Sequence, residues 1–174
     1  IQLFFYIGGN DSMDTIMKLS DYAKEIGSTI KFMGVPKTID NDLMITDHTP
    51  GFGSAAKYIG ATMKELIRDA TVYGTPYVTV VEIMGRNAGW LTASASLARS
   101  EDCEGVDMLC LPEIPFEINI FLKRIEELQK EKKSIVIAVS EGIKLNDGRY
   151  VCELSDDARI VDEYGHKSLT GTAR

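Results

Sequence analysis

Five short, near-continuous apolar runs alternate with longer stretches in which apolar residues recur every three or four positions. The runs are Ile1–Ile7, Thr29–Val35, Tyr77–Ile83, Met108–Leu111 and Ser134–Val139, rich in Ile, Val, Phe and Tyr. Such runs read as strands covered on both faces. Alternating strands and helices predict parallel strands joined by right-handed crossovers, an α/β fold. Ile16, Leu19, Ala23 and Ile26 mark the first helix, capped by Asp11 or Ser12 and stopped at Gly27. Ala56, Ile59, Met63, Leu66, Ile67 and Ala70 give a longer one from about Gly53 to Tyr73. "AGWLTASASLAR" predicts a third helix and "INIFLKRIEELQKEKK" a fourth, whose charged half is a solvated face. "KLNDGRYV" carries Asn-Asp-Gly turn chemistry.

Composition excludes several classes. Apolar residues make up 44% of 174, enough for a real core. A net charge of −7 argues against a nucleic-acid surface, which needs clustered Lys and Arg. No apolar run approaches the roughly 20 residues of a membrane helix. "IQLFFYI" lacks the basic start and cleavage site of a signal peptide and reads as a strand. Cys103, Cys110 and Cys152 show no CxxC spacing, which fits thiols in a reducing cytoplasm better than a disulfide scaffold or zinc site. Trp90 and the methionines other than Met84 read as core. The chain opens inside a strand and stops without a final element, so a piece of a longer polypeptide is expected.

The polar clusters follow the strands. The first is followed by Gly8-Gly9-Asn10-Asp11-Ser12 and the second by Pro36-Lys37-Thr38-Ile39-Asp40-Asn41-Asp42. The third gives Met84-Gly85-Arg86, the fourth Pro112-Glu113 and the fifth Ser140-Glu141-Gly142. Open parallel sheets bind ligands at the carboxyl ends of their strands. Gly-Gly between strand and helix lets backbone N–H groups meet a phosphate at the positive helix end. Lys37 and Arg86 suit phosphate oxygens. Of Asp40 and Asp42, one suits Mg²⁺ and the other suits a base that takes a hydroxyl proton. Together these groups are the parts of a phosphoryl transferase. The P-loop pattern GxxxxGK followed by Ser or Thr is absent, and so are the protein-kinase HRD and DFG signatures. Gly51-Phe52-Gly53-Ser54-Ala55-Ala56 matches GxGxxA, but "TDHTP" precedes it where a dinucleotide fingerprint needs a strand.

"PKTIDND", "MGR", "PE" after a strand, "SEG" and "TDHTPGFGSA", in their order along the chain, resemble the 6-phosphofructokinases. The likeness runs from Gly8 to about His166. It implies a three-layer fold, a mostly parallel sheet sandwiched by helices. Residues 1–50 would end a donor-binding domain and carry the catalytic loop; residues 51–174 would bind fructose 6-phosphate. The implied reaction phosphorylates the C1 hydroxyl of fructose 6-phosphate, a glycolytic step in the cytoplasm, with Mg²⁺ and a homo-oligomeric enzyme. Asp40 resembles the base, Asp42 the group that orients the site and supports Mg²⁺, and Thr38 the hydroxyl that bonds the moving phosphoryl group. Met84, Gly85 and Arg86 resemble the sugar-binding turn, with Arg86 offsetting transition-state charge. Glu113 resembles the carboxylate that accepts from sugar hydroxyls, and His166 with Lys167 the grip on the 6-phosphate. Gly8, Gly9, Asn10, Asp11 and Lys37 resemble the donor-phosphate site, with Asn10 and Asp42 at the metal.

Two positions bear on the donor. ATP-dependent members read "GGDGS" and "PGTIDND"; here Asp11 and Lys37 replace glycines. A carboxylate at 11 crowds an α-phosphate and Lys37 neutralises a terminal pyrophosphate oxygen, so the likeness points to pyrophosphate rather than ATP. Asn10 stands where the family has Asp, and Tyr77 where many bacterial members have a cross-subunit arginine. An ATP-dependent 6-phosphofructokinase is the close alternative, and a non-catalytic, sugar-phosphate-binding regulatory subunit is the alternative from another class. The retained Asp40, Asp42, Thr38 and Arg86 speak against the regulatory subunit.

Overall fold

The computed structural model of the protein describes residues 1–154 and 171–173. It divides into two compact units, Ile1–Phe52 and Gly53–Arg174.

In the first unit, β1 (Leu3–Gly8) and β2 (Lys31–Pro36) pair in parallel, Leu3 opposite Lys31 through Gly8 opposite Pro36. Helix α1 (Asn10–Glu25) crosses between them and packs on both, burying Ile16 and Ala23. It begins at Asn10 directly after the Gly-Gly turn, with Gly9 at the cap position and no side-chain cap bond. Neither Asp11 nor Ser12 is therefore the cap: both lie inside the helix, Asp11 in the first turn, where the helix dipole favours a carboxylate. At the other end Gly27, with φ +66°, takes its N–H to Lys24 O at 3.1 Å, and Ser28 N reaches Ala23 O at 2.8 Å, the glycine stop the sequence predicts.

The expectation of two covered faces fails here. Phe5 is 58% and Ile7 70% exposed, and Met33 on β2 is also exposed. A strand pattern reports an apolar surface, whereas burial also requires a second layer against each face.

In the second unit, β3 (Tyr77–Ile83), β4 (Met108–Cys110) and β5 (Ser134–Ser140) form a parallel sheet in the order β3-β5-β4. The parallel strands thus belong to two sheets, one in each unit. The central position of β5 explains its burial: Ile135 through Val139 are at most 3% exposed. Each such aliphatic side chain stabilises by about 1.5–3 kcal/mol. Leu128 of α4 (Ile118–Glu131) packs with Ile135, Ile137, Val139 and Ile143 in this core. Helix α2 (Phe52–Thr71) buries Ala56, Gly60, Met63, Ile67 and Ala70, the expected face.

The third helix is shorter than predicted. α3 covers only Trp90–Ala93 and passes into a 3₁₀ turn, Ser94–Ala98. Ser94 Oγ donates to Leu91 O at 2.5 Å and Ser96 Oγ to Ala93 O at 2.7 Å. Such back-bonding competes with the helical ladder. Trp90 is 56% exposed, so it is not core; of the methionines, Met63 is buried while Met17, Met33 and Met44 are exposed. The Asn-Asp-Gly segment turns as expected, with Leu145 N donating to Arg149 O at 2.8 Å. Cys103 and Cys152 are buried and Cys110 is half-buried. Burial pushes the Cys110 and Cys152 thiols up, as for inert structural cysteines. No described helix is long and apolar enough to cross a membrane.

Candidate active site

In the first unit the loops after β1 and β2 lie side by side because the strands are parallel and in register to their ends. Lys37 N donates to Gly8 O at 2.9 Å, extending the ladder one step past the strands. This bond brings Lys37 to the Gly8-Gly9 turn, where α1 begins with Asn10 and Asp11. Beyond it, Thr38 Oγ1 accepts from Asp40 N at 3.0 Å, closing a tight turn. The hydroxyl keeps its own proton to donate.

Asn41 organises the rest of this loop, a role absent from the sequence reading. It is buried and left-handed, φ +58°. Its Oδ1 accepts from Thr49 N at 2.9 Å and Thr49 Oγ1 at 3.2 Å, and its Nδ2 donates to Asp47 O at 3.3 Å. The staple fixes the backbone between Asp40 and Asp42. An Asn flanked by carboxylates was a readable signal, since Asn tolerates a left-handed backbone better than most residues. Asn41→Ala in the full-length protein is expected to cost about 1–3 kcal/mol in urea unfolding, because Thr49 N loses its buried acceptor. Asn41→Gly retains the backbone freedom and lacks the amide; equal stability of Asn41→Gly and wild type would show that only the dihedral matters.

In the second unit three strand ends interlock. Ile83 and Ser140 are register partners at the ends of β3 and β5. Glu141 N donates to Ile83 O at 3.0 Å, and Gly85 N donates to Glu141 Oε1 at 3.2 Å. Gly85 has φ +137°, and a Cβ there would stand 2.6 Å from Ala88 O. Only glycine fits this bend. Gly142 packs directly under the Arg86 carbonyl, leaving no space for a methyl group. Arg86 itself is exposed. The Glu113 carboxylate receives Gly89 N at 2.7 Å and so ties the end of β4 to the start of α3. Glu82, inside β3, accepts from Gly171 N and Ala173 N at 3.2 and 3.1 Å, and Thr172 Oγ1 donates to Glu141 O at 3.0 Å. Met84, Gly85, Arg86, Glu113 and Glu141 are thus brought to one edge of this sheet. His166 and Lys167 lie outside the described residues.

Among the described residues no three His, Cys, Asp or Glu side chains gather at metal distance. Magnesium is ordinarily held by one or two carboxylates with substrate phosphates and waters. The all-oxygen set of Asn10, Asp11 and Asp42 fits that mode in donor type.

Parallel sheets with glycine, lysine and carboxylate groups at their carboxyl ends define an open-sheet α/β protein with its polar groups at the edge where such folds bind ligands. The family model "Phosphofructokinase" matches residues 1–172, and the chain belongs to the phosphofructokinase family. It is 41% identical over 175 residues to pyrophosphate–fructose 6-phosphate 1-phosphotransferase of Halomonas elongata, covering 99% of this chain and 41% of that protein. It is 34% identical over 158 residues to ATP-dependent 6-phosphofructokinase 2 of Clostridium perfringens, covering 90% of this chain and 38% of that protein. The crystal structure of pyrophosphate-dependent phosphofructokinase from Nitrosospira multiformis matches with a TM-score of 0.71 and 42% identity, covering 86% of this chain and 38% of that one. The chain spans about two-fifths of the length of the curated relatives it matches.

Proposed function

We propose that the full-length protein transfers a phosphoryl group from pyrophosphate to the C1 hydroxyl of fructose 6-phosphate. The observation that carries this reading is the Lys37 N to Gly8 O bond, which brings the main chain of Lys37, and the loop that follows it, beside the start of α1. Family membership supports it, as do the relatives named above.

The roles divide by unit. In the first, the amides of the Gly8-Gly9 turn and the dipole of α1 bind the terminal phosphate of the donor. Lys37 neutralises one of its oxygens. Asp40 takes the C1 hydroxyl proton as that oxygen forms its bond to phosphorus and the bond to the bridging oxygen breaks. Inorganic phosphate leaves, and fructose 1,6-bisphosphate is the product. Thr38 donates its hydroxyl proton to an oxygen of the group in transit. In the second unit Met84, Gly85 and Arg86 hold the sugar phosphate, and Arg86 offsets charge in the transition state. Glu113 accepts from sugar hydroxyls, and His166 with Lys167 contacts the 6-phosphate. Asn10 and Asp42 would hold Mg²⁺, which when bound would neutralise charge on the phosphates. The reading includes a cytoplasmic homo-oligomer whose partners are fructose 6-phosphate and the phosphoryl donor, without nucleic acid or membrane.

Purified full-length protein assayed with each donor tests this. Pyrophosphate is expected to support the higher kcat/KM. Lys37→Gly is expected to raise the pyrophosphate KM by about 10–100-fold, the equivalent of one charge-assisted hydrogen bond. Turnover with ATP far above that with pyrophosphate overturns the donor assignment.

A further inference from the structure

We propose that Ser140 is a positioning residue for the Met84–Arg86 turn, setting the main chain that presents Arg86 to the sugar phosphate. Its side chain is fully buried, so it acts through its neighbours rather than on a ligand. The Ser140 Oγ donates to Gly85 O and accepts from Gly142 N at 3.1 Å. One hydroxyl thereby joins the turn after β3 to the turn after β5. Such a group uses its single donor and one of its acceptor sites in opposite directions, which an alkyl side chain cannot do.

The surrounding contacts make this joint specific. Gly85 lies in the glycine-favouring region, φ +137°, a conformation that persists only when neighbouring bonds fix it. Its N–H is held by Glu141 and its carbonyl by Ser140, so both ends of the peptide turn are tied to consecutive residues of β5 and its loop. Gly142, whose N–H is the second partner of Ser140, lies against the Arg86 carbonyl. Removing the hydroxyl releases Gly85 O and Gly142 N together and leaves the turn before Arg86 held by the Gly85 N to Glu141 bond. A guanidinium displaced by about 1 Å costs on the order of 10²-fold in rate.

The inference rests on the proposed transfer reaction, and the test separates the two. Ser140→Ala in the full-length protein is expected to raise the fructose 6-phosphate KM and lower kcat, together about 10–100-fold in kcat/KM, with the pyrophosphate KM unchanged. Ser140→Thr, which keeps the hydroxyl, restores the wild-type values. Amide hydrogen exchange at Gly142, whose N–H loses its acceptor, is expected to be about tenfold faster in Ser140→Ala, whatever the substrate. Ser140→Cys, close in shape and a weak donor, gives an intermediate result and serves if the alanine variant does not fold. Exchange rates equal to wild type, or KM values for both substrates rising in parallel with a lower Tm, overturn the positioning role. Inactivity of the wild type with both donors, alongside altered exchange in the variant, overturns the transfer reaction and leaves the hydroxyl joint standing.

Discussion

Asp40→Asn in the full-length protein is expected to lower kcat by about 10²–10⁴-fold, the usual contribution of a positioned general base. The amide has the shape of the carboxylate and cannot accept the C1 proton. The bond that shapes this turn runs from the Asp40 main-chain N to Thr38 Oγ1, so it survives the substitution. A loss of rate with intact thermal unfolding therefore reads as chemistry. Substrate KM values should change little, because the proton moves only as the new bond forms. Steady-state kinetics with both substrates saturating measures this. A rate within about threefold of wild type removes Asp40 from the role.

Arg86→Ala is expected to reduce kcat by about 10²–10³-fold and also to raise the fructose 6-phosphate KM, since in the proposed reaction the guanidinium would meet charge both in the bound sugar phosphate and in the transition state. The main chain at Arg86 is set by Gly142 and the bonds of Gly85, which a side-chain truncation leaves in place. Arg86→Lys is expected to recover less than a tenth of the loss, because an ammonium lacks the planar fork. An effect confined to KM, with kcat unchanged, limits Arg86 to substrate binding.

Local signals carried much of the architecture. β3 runs from Tyr77 to Ile83 as its apolar run does, Gly27 stops α1, and α2 buries the face its spacing marks. The features that escaped are set by partners distant in the chain. Ser140 meets Gly85 across 55 positions, and Glu82 meets Gly171 across 89. No spacing rule reports such pairs. The 3₁₀ turn after Ala93 depended on serine hydroxyls choosing main-chain carbonyls over solvent, a choice that composition alone leaves open. Asp11 and Ser12 are good cap types, but the Gly-Gly turn starts the helix at Asn10, two residues earlier than a side-chain cap at 11 requires and three earlier than one at 12. For the site, residue types at strand ends were legible and the supporting main-chain bonds were not. Asn41 and Ser140 lie within the quoted motifs, yet their work lies in holding neighbours.

Because every strand in both sheets runs parallel to its neighbours, the loops at the opposite, amino ends carry none of the groups that follow the strands, and their own charges pair among themselves, Lys132 with Glu104 and Asp107. Gly74–Pro76 before β3 and Lys132–Lys133 before β5 are such connections. For protein engineering this gives a safe side and a sensitive side. Fluorophores, epitope insertions or immobilisation handles belong at Gly74–Pro76, at the end of β3 opposite Met84–Arg86.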